Sequence, residues 1–464
     1  MKKLILSLAI TVCSQSIILG ADRPLHDWPP ADPAAVAHWQ SLRFGMFIHW
    51  GPVSLTGHEI SGSRGRQTPI AVYDHLYQQF NPTNFNADEW VSLAKTAGMK
   101  YIVMVCKHHD GFCLWDTKLT DYNIMKSPFH RDVVKELSDA CKKQGIAFGA
   151  YYSVRDWYNT NWPATTSDAK VKREHYDMDA YEKYLLGQTA ELIQNYGPLL
   201  TIWNDGCVNG DIRYGARGAD TIKLVRKLQP DILINGRTGD TGDYGTPEQR
   251  IGNFQMKQPW ESCMTVSAHN SWAWGGADDG VKSVTACLDM LVRCAAGDGN
   301  VLLNVGPRPD GLIDPAQANL LKQIGEWLAK NGESIYGTRG GPWKPTSEGV
   351  TTGKDYVRQR KAVLQDWKPT SEVVSTRKDK TIYVHILKWP DGAVTLPNIP
   401  AKIVSAKILG GGQADVRQTS SGIEISVAPE NRDAFDTVVA LSLDSPALDI
   451  PALAVESKAK ESSP

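Results

Sequence analysis

Five short apolar runs in the first half of the chain each end in polar or aromatic groups with chemical potential. Phe44-Gly-Met-Phe-Ile48 leads into His49-Trp50-Gly51, and Tyr101-Ile-Val-Met-Val-Cys106 into Lys107-His108-His109-Asp110-Gly111-Phe112. Ala147-Phe-Gly-Ala ends in Tyr151-Tyr152-Ser153, Leu199-Leu-Thr-Ile in Trp203-Asn204-Asp205-Gly206, and Ile232-Leu-Ile in Asn235-Gly236-Arg237. A lone histidine or aspartate in such a place is most often a satisfied core residue. Five successive runs that deliver such groups at the same end are hard to explain by packing. The set calls for a carboxylate at its centre, and Asp205 beside Trp203 supplies one. Cleavage of a glycosidic bond needs two carboxyl groups, a nucleophile or base and a proton donor. Asp205 is the nucleophile candidate. Glu248 (Thr246-Pro-Glu-Gln249) and Glu261 (Trp260-Glu261) compete for the second place, and Glu59 (Gly57-His-Glu-Ile-Ser61) is a third acid. Glu248 is favoured, because its Gly- and Pro-containing segment 242–249 reads as a loop able to lean over a site. Glu261 stands in an apolar setting that suits a buried structural acid.

Other chemistries fare worse. His49, His108, His109 and Asp205 are ligand types for zinc or iron. Adjacent strand residues point to opposite faces, however, so His108 and His109 are not expected to share one ion. No HExxH or HxxxH lies on a helix, no GxSxG elbow is present, and neither GxGxxG nor GxxxxGK[ST] occurs. The cysteines are few and contain no CxxC, which argues against zinc ribbons and dithiol redox motifs.

The elements that must hold these groups alternate. Helical patterns fall at 87–99, 130–144, 177–195, 221–228, 281–296 and 315–330, between the strands and after them, with a further strand at 300–304. About 300 residues of parallel βα units fit a (β/α)8-type barrel, whose active-site mouth lies at the C-terminal ends of the strands. After about Gly341 the texture changes to short strand-like runs at 383–387, 403–408, 422–427 and 437–442, which reads as a C-terminal antiparallel β-sandwich. The expected divisions are 22–340 and 341–446, with a polar tail at 447–464 that reads as disordered. Trp343-Lys-Pro-Thr-Ser-Glu348 recurs as Trp367-Lys-Pro-Thr-Ser-Glu372, a local duplication at the junction. Lys2-Lys3, an apolar run and Gly20-Ala21 read as an export signal cleaved near Ala21. Its removal leaves seven cysteines, enough for one disulfide, and 48 basic residues against 51 acidic ones. There is no basic excess to attract nucleic acid, and no later stretch is long and apolar enough for a membrane span. Fifteen Trp and sixteen Tyr are many for 464 residues. Their flat apolar faces with polar tips suit sugar rings, although large cores use them too.

At these residues the sequence resembles the α-L-fucosidases of glycoside hydrolase family 29. The likeness runs through Arg43–Gly51, Phe85–Asp116, Ser127–Asp132, Trp203-Asn-Asp205, Thr246-Pro-Glu-Gln249 and Asn300-Val-Leu-Leu-Asn-Val-Gly-Pro307. The resemblance implies hydrolysis of fucosylated glycans with retention of configuration, without a metal or other cofactor. It places the nucleophile on Asp205 and the proton donor on Glu248. Sugar contacts fall on His49, Glu59, His108, His109, Trp203, Arg237 and Trp272, and on a tyrosine of Tyr151-Tyr152, with Tyr152 favoured. The Glu-Ile-Ser and Thr-Pro-Glu-Gln wording looks like the branch that prefers α-1,3/1,4-linked fucose. One departure stands out: a tryptophan of relatives is replaced in Glu59-Ile-Ser-Gly62-Ser-Arg-Gly65, removing an apolar wall. A non-catalytic glycan-binding protein on the same scaffold is the alternative reading.

Overall fold

The computed structural model describes residues 28–168, 171–206, 217–239, 242–252, 254, 256–344 and 372–454. The export signal, residues 455–464 of the expected tail, Cys207 and Trp367 with most of its repeat lie outside these residues. The expectation of disorder from 447 is corrected: Ala447–Asp449 form a 3-10 turn and Leu453–Ala454 pair with Trp343–Lys344. Seven parallel strands form one curled sheet: β1 (Phe44–Ile48), β2 (Tyr101–Lys107), β3 (Ala147–Ser153), β4 (Thr201–Asp205), β5 (Leu233–Ile234), β6 (Glu261–Thr265) and β7 (Asn300–Val305). Their spatial order is β5-β4-β3-β2-β1-β7-β6. Helices α1 (Pro33–Leu42), α2 (Ile70–Tyr73), α3 (Ala87–Thr96), α4 (Val133–Gln144), α5 (Met178–Tyr196), α6 (Arg217–Leu228), α7 (Val284–Ala296) and α8 (Pro315–Asn331) lie between or after them. Strands covered on both faces favour continuous apolar runs, and β1 and β2 are buried at every residue. No helix among the described residues is long and apolar enough to cross a membrane.

The expected helices form, and side-chain caps set their starts. Asn86, Asp132, Asp177 and Ser283 each accept a backbone N–H from the first turn that follows, satisfying donors that the helix itself leaves open. Helix α4 therefore begins at Val133 and not at His130, whose φ of 49° lies outside the helical region. Strand β6 was not legible, because Glu261, Ser262 and Thr265 are polar. Each finds a partner inside: Tyr101 and Trp203 for Glu261, the Arg250 carbonyl for Ser262, and Gln249 and Lys282 for Thr265.

Between β5 and β6 runs an irregular segment with single parallel bridges to both sides. Tyr244 pairs with Asn235, Gly245 with Trp260 and Glu248 with Cys263. The expectation of a loop leaning over the mouth is thus corrected. Residues 243–249 are threaded into the sheet's gap, and backbone bonds between Gln249 and Cys263 and between Cys263 and Pro247 hold them there.

Ten further short strands follow: β8 (Arg339–Gly340), β9 (Trp343–Lys344), β10 (Val373–Lys378), β11 (Thr381–Ile386), β12 (Val394–Leu396), β13 (Ile403–Ile408), β14 (Ala414–Thr419), β15 (Gly422–Val427), β16 (Thr437–Leu443) and β17 (Leu453–Ala454). A five-stranded antiparallel sheet has the order β13-β16-β11-β10-β8, and β12-β15-β14 form a second sheet. Strand alternation gives the larger sheet two apolar faces. Val374, Tyr383, Val438 and Ala440 join the core of the parallel-sheet region. Ile382, Val384, Val439 and Leu441 cluster instead with Leu396, Ile423 and Ile425 of the smaller sheet. A buried ionic link ties the regions together: Asp298 accepts from Arg43 just ahead of β1 and from Arg339 of β8. The six described cysteines are free thiols, all buried.

Candidate active site

The C-terminal ends of the parallel strands open on one cavity of about 350 Å³, a small-molecule dimension. Every strand-end cluster seen in the sequence sends at least one side chain to it: His49, His108 and His109, Tyr151, Trp203 and Asp205, and Arg237. Glu248 and Trp272 complete the expected lining. Phe47, Ser61, Arg155, Gly206 and Cys263 also line it and were missed. Phe47 lies two residues before His49 in the line of β1, where period-2 alternation could have flagged it, but Cys263 belongs to the illegible β6, and Ser61 and Arg155 sit on loops with no periodic signal.

Asp205 is gripped from two sides. Arg237 Nη1 lies 3.0 Å from Oδ1, and the Tyr151 hydroxyl donates to Oδ2 at 2.9 Å. Burial alone would raise its pKa, but the Arg237 guanidinium holds the carboxyl well below the usual range. Asp205 is therefore ionised at any working pH, as a nucleophile must be.

The histidines are held neutral. Burial lowers His49 to about 4 and His109 to about 3, and pushes His108 well below its ordinary value. Hydrogen bonds fix two tautomers. Asn304 uses its amide N–H on the Trp272 carbonyl, so its oxygen, 2.6 Å from His49 Nδ1, accepts the imidazole proton. Ser153 donates its hydroxyl to the Arg155 carbonyl, so it accepts from His109 Nδ1 at 2.6 Å. Each ring is left with Nε2 as a lone-pair acceptor. His108 Nδ1 is buried without a partner among the described residues. Such acceptors suit hydroxyl groups of a neutral ligand.

Arg237 links the second carboxylate to the first. Nη1 also lies 3.0 Å from Glu248 Oε2, while Nε and Nη2 donate to the side chain and carbonyl of Thr246. Two carboxylate oxygens that share one nitrogen at 3.0 Å lie within about 6 Å of each other. Glu261 is elsewhere, fully buried below the cavity and accepting from Tyr101 and Trp203. Burial raises it to about 7. Its ionisation therefore costs the folded state nothing below about pH 4.5, and the cost grows as pH rises to 7. Glu261→Gln removes that cost. Melting curves of this variant should rise above those of the parent over that interval, by the order of a few kcal/mol above pH 7. A gap that stayed constant with pH would contradict the burial of an ionisable acid here.

Three expectations are corrected. Tyr152 does not reach the cavity; Tyr151 does. In β3 the two point to opposite faces, and Tyr152 turns outward to Lys107 and Gln188. Glu59 does not line the cavity. Its oxygens accept the backbone N–H groups of Ser61 and Trp272, so with Asn304 it positions the loop that carries the Trp272 indole, 5.0 Å from His49. His108 and His109 do not diverge, because β2 ends at Lys107. Both rings enter the cavity, 4.2 Å apart, and with Asp205 they bring three ligand-type atoms within 4.8 Å of one another. Yet both Asp205 oxygens are engaged, one of them by a guanidinium. That environment suits an anion paired with arginine better than a cation ligand.

The chain is similar to known proteins in both sequence and fold. A sequence model of the family described as alpha-L-fucosidase matches residues 21–333. The plasma alpha-L-fucosidase of Homo sapiens is 28% identical over 421 residues, covering 83% of this chain and 84% of that protein. Among solved structures, alpha-L-fucosidase isoenzyme 1 from Paenibacillus thiaminolyticus is 29% identical with a TM-score of 0.75, covering 89% of this chain and 99% of that one. The Thermotoga maritima alpha-fucosidase is 26% identical with a TM-score of 0.70, over 88% and 97%.

Proposed function

The chain belongs to the α-L-fucosidase family of glycoside hydrolases, and from that premise we propose a retaining exo-enzyme with Asp205 as nucleophile and Glu248 as acid and base. The observation that carries this reading is the shared arginine. Two carboxylates within about 6 Å match the close spacing of retaining pairs, whereas inverting pairs stand wider to admit a water. In the first step an Asp205 oxygen bonds to the anomeric carbon as the glycosidic C–O bond breaks, and Glu248 gives its proton to the departing oxygen. In the second, Glu248 takes a proton from water, whose oxygen displaces Asp205. His49, His108 and His109 accept hydrogen bonds from the sugar hydroxyls, and Trp272 forms the apolar wall for the C6 methyl.

The same reading supports several finer points. Residues 243–249 serve as the eighth barrel strand, and the two C-terminal sheets form a sandwich over 341–446 behind a catalytic region of 22–340. The enzyme is exported after cleavage near Ala21 and favours α-1,3/1,4-linked fucose on fucosylated oligosaccharides. The test is hydrolysis of an aryl α-L-fucoside followed by NMR. The first sugar formed should be the α-anomer, and a panel of fucosylated glycans differing only in linkage should rank the 1,3 and 1,4 isomers first. Fucose binding with no turnover on any of them would support the glycan-binding alternative.

The acid side of the pH profile follows from the histidines. A site that uses them as neutral acceptors keeps working until they protonate. kcat/KM should hold as pH falls through 6.5, the ordinary histidine value, and decline near pH 4, where His49 takes its proton. An acid limb centred near 6.5 would show that these rings are not held neutral.

A further inference from the structure

We propose that Arg155 is a specificity-determining residue that selects fucosides bearing a negative charge, a carboxylate or a sulfate ester, close to the scissile bond. The inference rests on the fucoside-hydrolase reading above. Arg155 lines the cavity on the loop just after β3. Its backbone is clamped at both polar groups by one hydroxyl, Ser153 Oγ, which accepts from its N–H and donates to its carbonyl. Its aliphatic stem lies over Gly206, where φ is +97° and a Cβ would stand 2.7 Å from Arg155 Cγ. Glycine directly after Asp205 is therefore what lets this side chain lie against the cavity wall. The Arg155 Nε is buried and has no hydrogen-bond partner among the described residues. The side chain lines the cavity, and its guanidinium is paired with no carboxylate among the described residues; its terminal nitrogens, not the enclosed Nε, are the donors available to an acceptor on the ligand.

The charges of the site point the same way. Arg237 is matched by Asp205 and Glu248, and the three histidines are neutral. Among the described residues that line the cavity, Arg155 is the cation left without a carboxylate partner when Glu248 carries the proton it must donate. Gly62 follows the cavity-lining Ser61, and the single neighbour that a Cβ there would meet within 4 Å is Arg66 Nη1, at 3.8 Å. That position has room for a side chain, and the exposed Arg66 stands beside it. The ring hydroxyls already face uncharged imidazoles, so an anion is best placed at the edge of the fucose or on the leaving group.

The test compares kcat/KM for three substrates: 4-nitrophenyl α-L-fucoside, its 3-O-sulfate, and a fucoside with a carboxylate on the nitrophenyl ring. The parent should favour at least one charged substrate over the neutral one, and the favoured one tells whether the charge belongs on the ring or the leaving group. Arg155→Gln should lower the charged-to-neutral ratio about ten- to hundredfold, mainly through KM. Arg155→Lys should restore part of it, as a charge without the fork. A parent with no preference for charge, or a ratio that Arg155→Gln leaves unaltered because both substrates suffer alike, overturns the proposal. Turnover of the neutral fucoside in the same assay tests the hydrolase reading separately, since it needs no charge on the substrate.

Discussion

Asp205→Ala should cut hydrolysis of an aryl α-L-fucoside by about four orders of magnitude or more, the scale seen when a nucleophile is removed, with little loss of fold. The Asp205 side chain is about one-fifth exposed at the cavity and its partners are polar, so truncation leaves a wet gap and not an apolar void. The loss is one of chemistry, because no other described carboxylate is gripped by both Arg237 and Tyr151. A slow 2-fluorinated fucoside should leave its sugar on the peptide that contains Asp205, read by mass spectrometry. Azide should restore some turnover to the Ala variant by attacking from the vacated face, giving a β-fucosyl azide of inverted configuration. A label on another peptide would move the nucleophile elsewhere.

Glu248→Gln should act differently, and the difference is its signature. The acid matters most when the leaving group is poor, because only then must a proton arrive as the bond breaks. Cleavage of natural oligosaccharides should fall by about 10²- to 10⁴-fold, the usual range for general acid catalysis. An activated aryl fucoside should be spared much more. Azide should rescue Glu248→Ala on the activated substrate and give an α-fucosyl azide of retained configuration, since it then attacks the covalent intermediate. Glu261→Gln should show neither effect, because Glu261 bonds to Tyr101 and Trp203 below the cavity. Azide rescue at Glu261 and not at Glu248 would exchange their roles.

Much of this was legible before any tertiary structure. Apolar runs that end in His49, His108-His109, Tyr151-Tyr152, Asp205 and Arg237 marked both the parallel strands and the end at which a site would form. In these strands, covered on both faces, an apolar run leaves most of the polar residues to the C-terminal end, where the cavity opens. The helices were legible from apolar spacing, and Asp132, Asp177 and Ser283 explain why their starts move by a residue or more. That Glu248 and not Glu261 reaches the cavity agrees with the local setting, glycine and proline against an apolar run, although the segment is bridged into the sheet and does not lean over the mouth. The resemblance to the fucosidases rests on the same strand-end motifs.

What the sequence left open turns on side-chain direction and on partners distant along the chain. Tyr151 and Tyr152 are equivalent as letters, and only the register of β3 against its neighbours decides which faces Asp205. That β2 stops at Lys107 was not evident from its apolar run, yet it is why both histidines enter one cavity. Strand β6 stayed hidden because its Glu261, Ser262 and Thr265 are paid for by Tyr101, Trp203, Arg250, Gln249 and Lys282, partners up to 160 residues away. Glu59 shows the same limit: its acidity was visible, but its work of holding the Trp272 backbone spans 213 residues. Local pattern determines which residues are buried and which element they build. Which buried polar group meets which depends on three-dimensional closure, and in a low-dielectric cavity that pairing decides whether a carboxyl is a nucleophile, an acid or a strut.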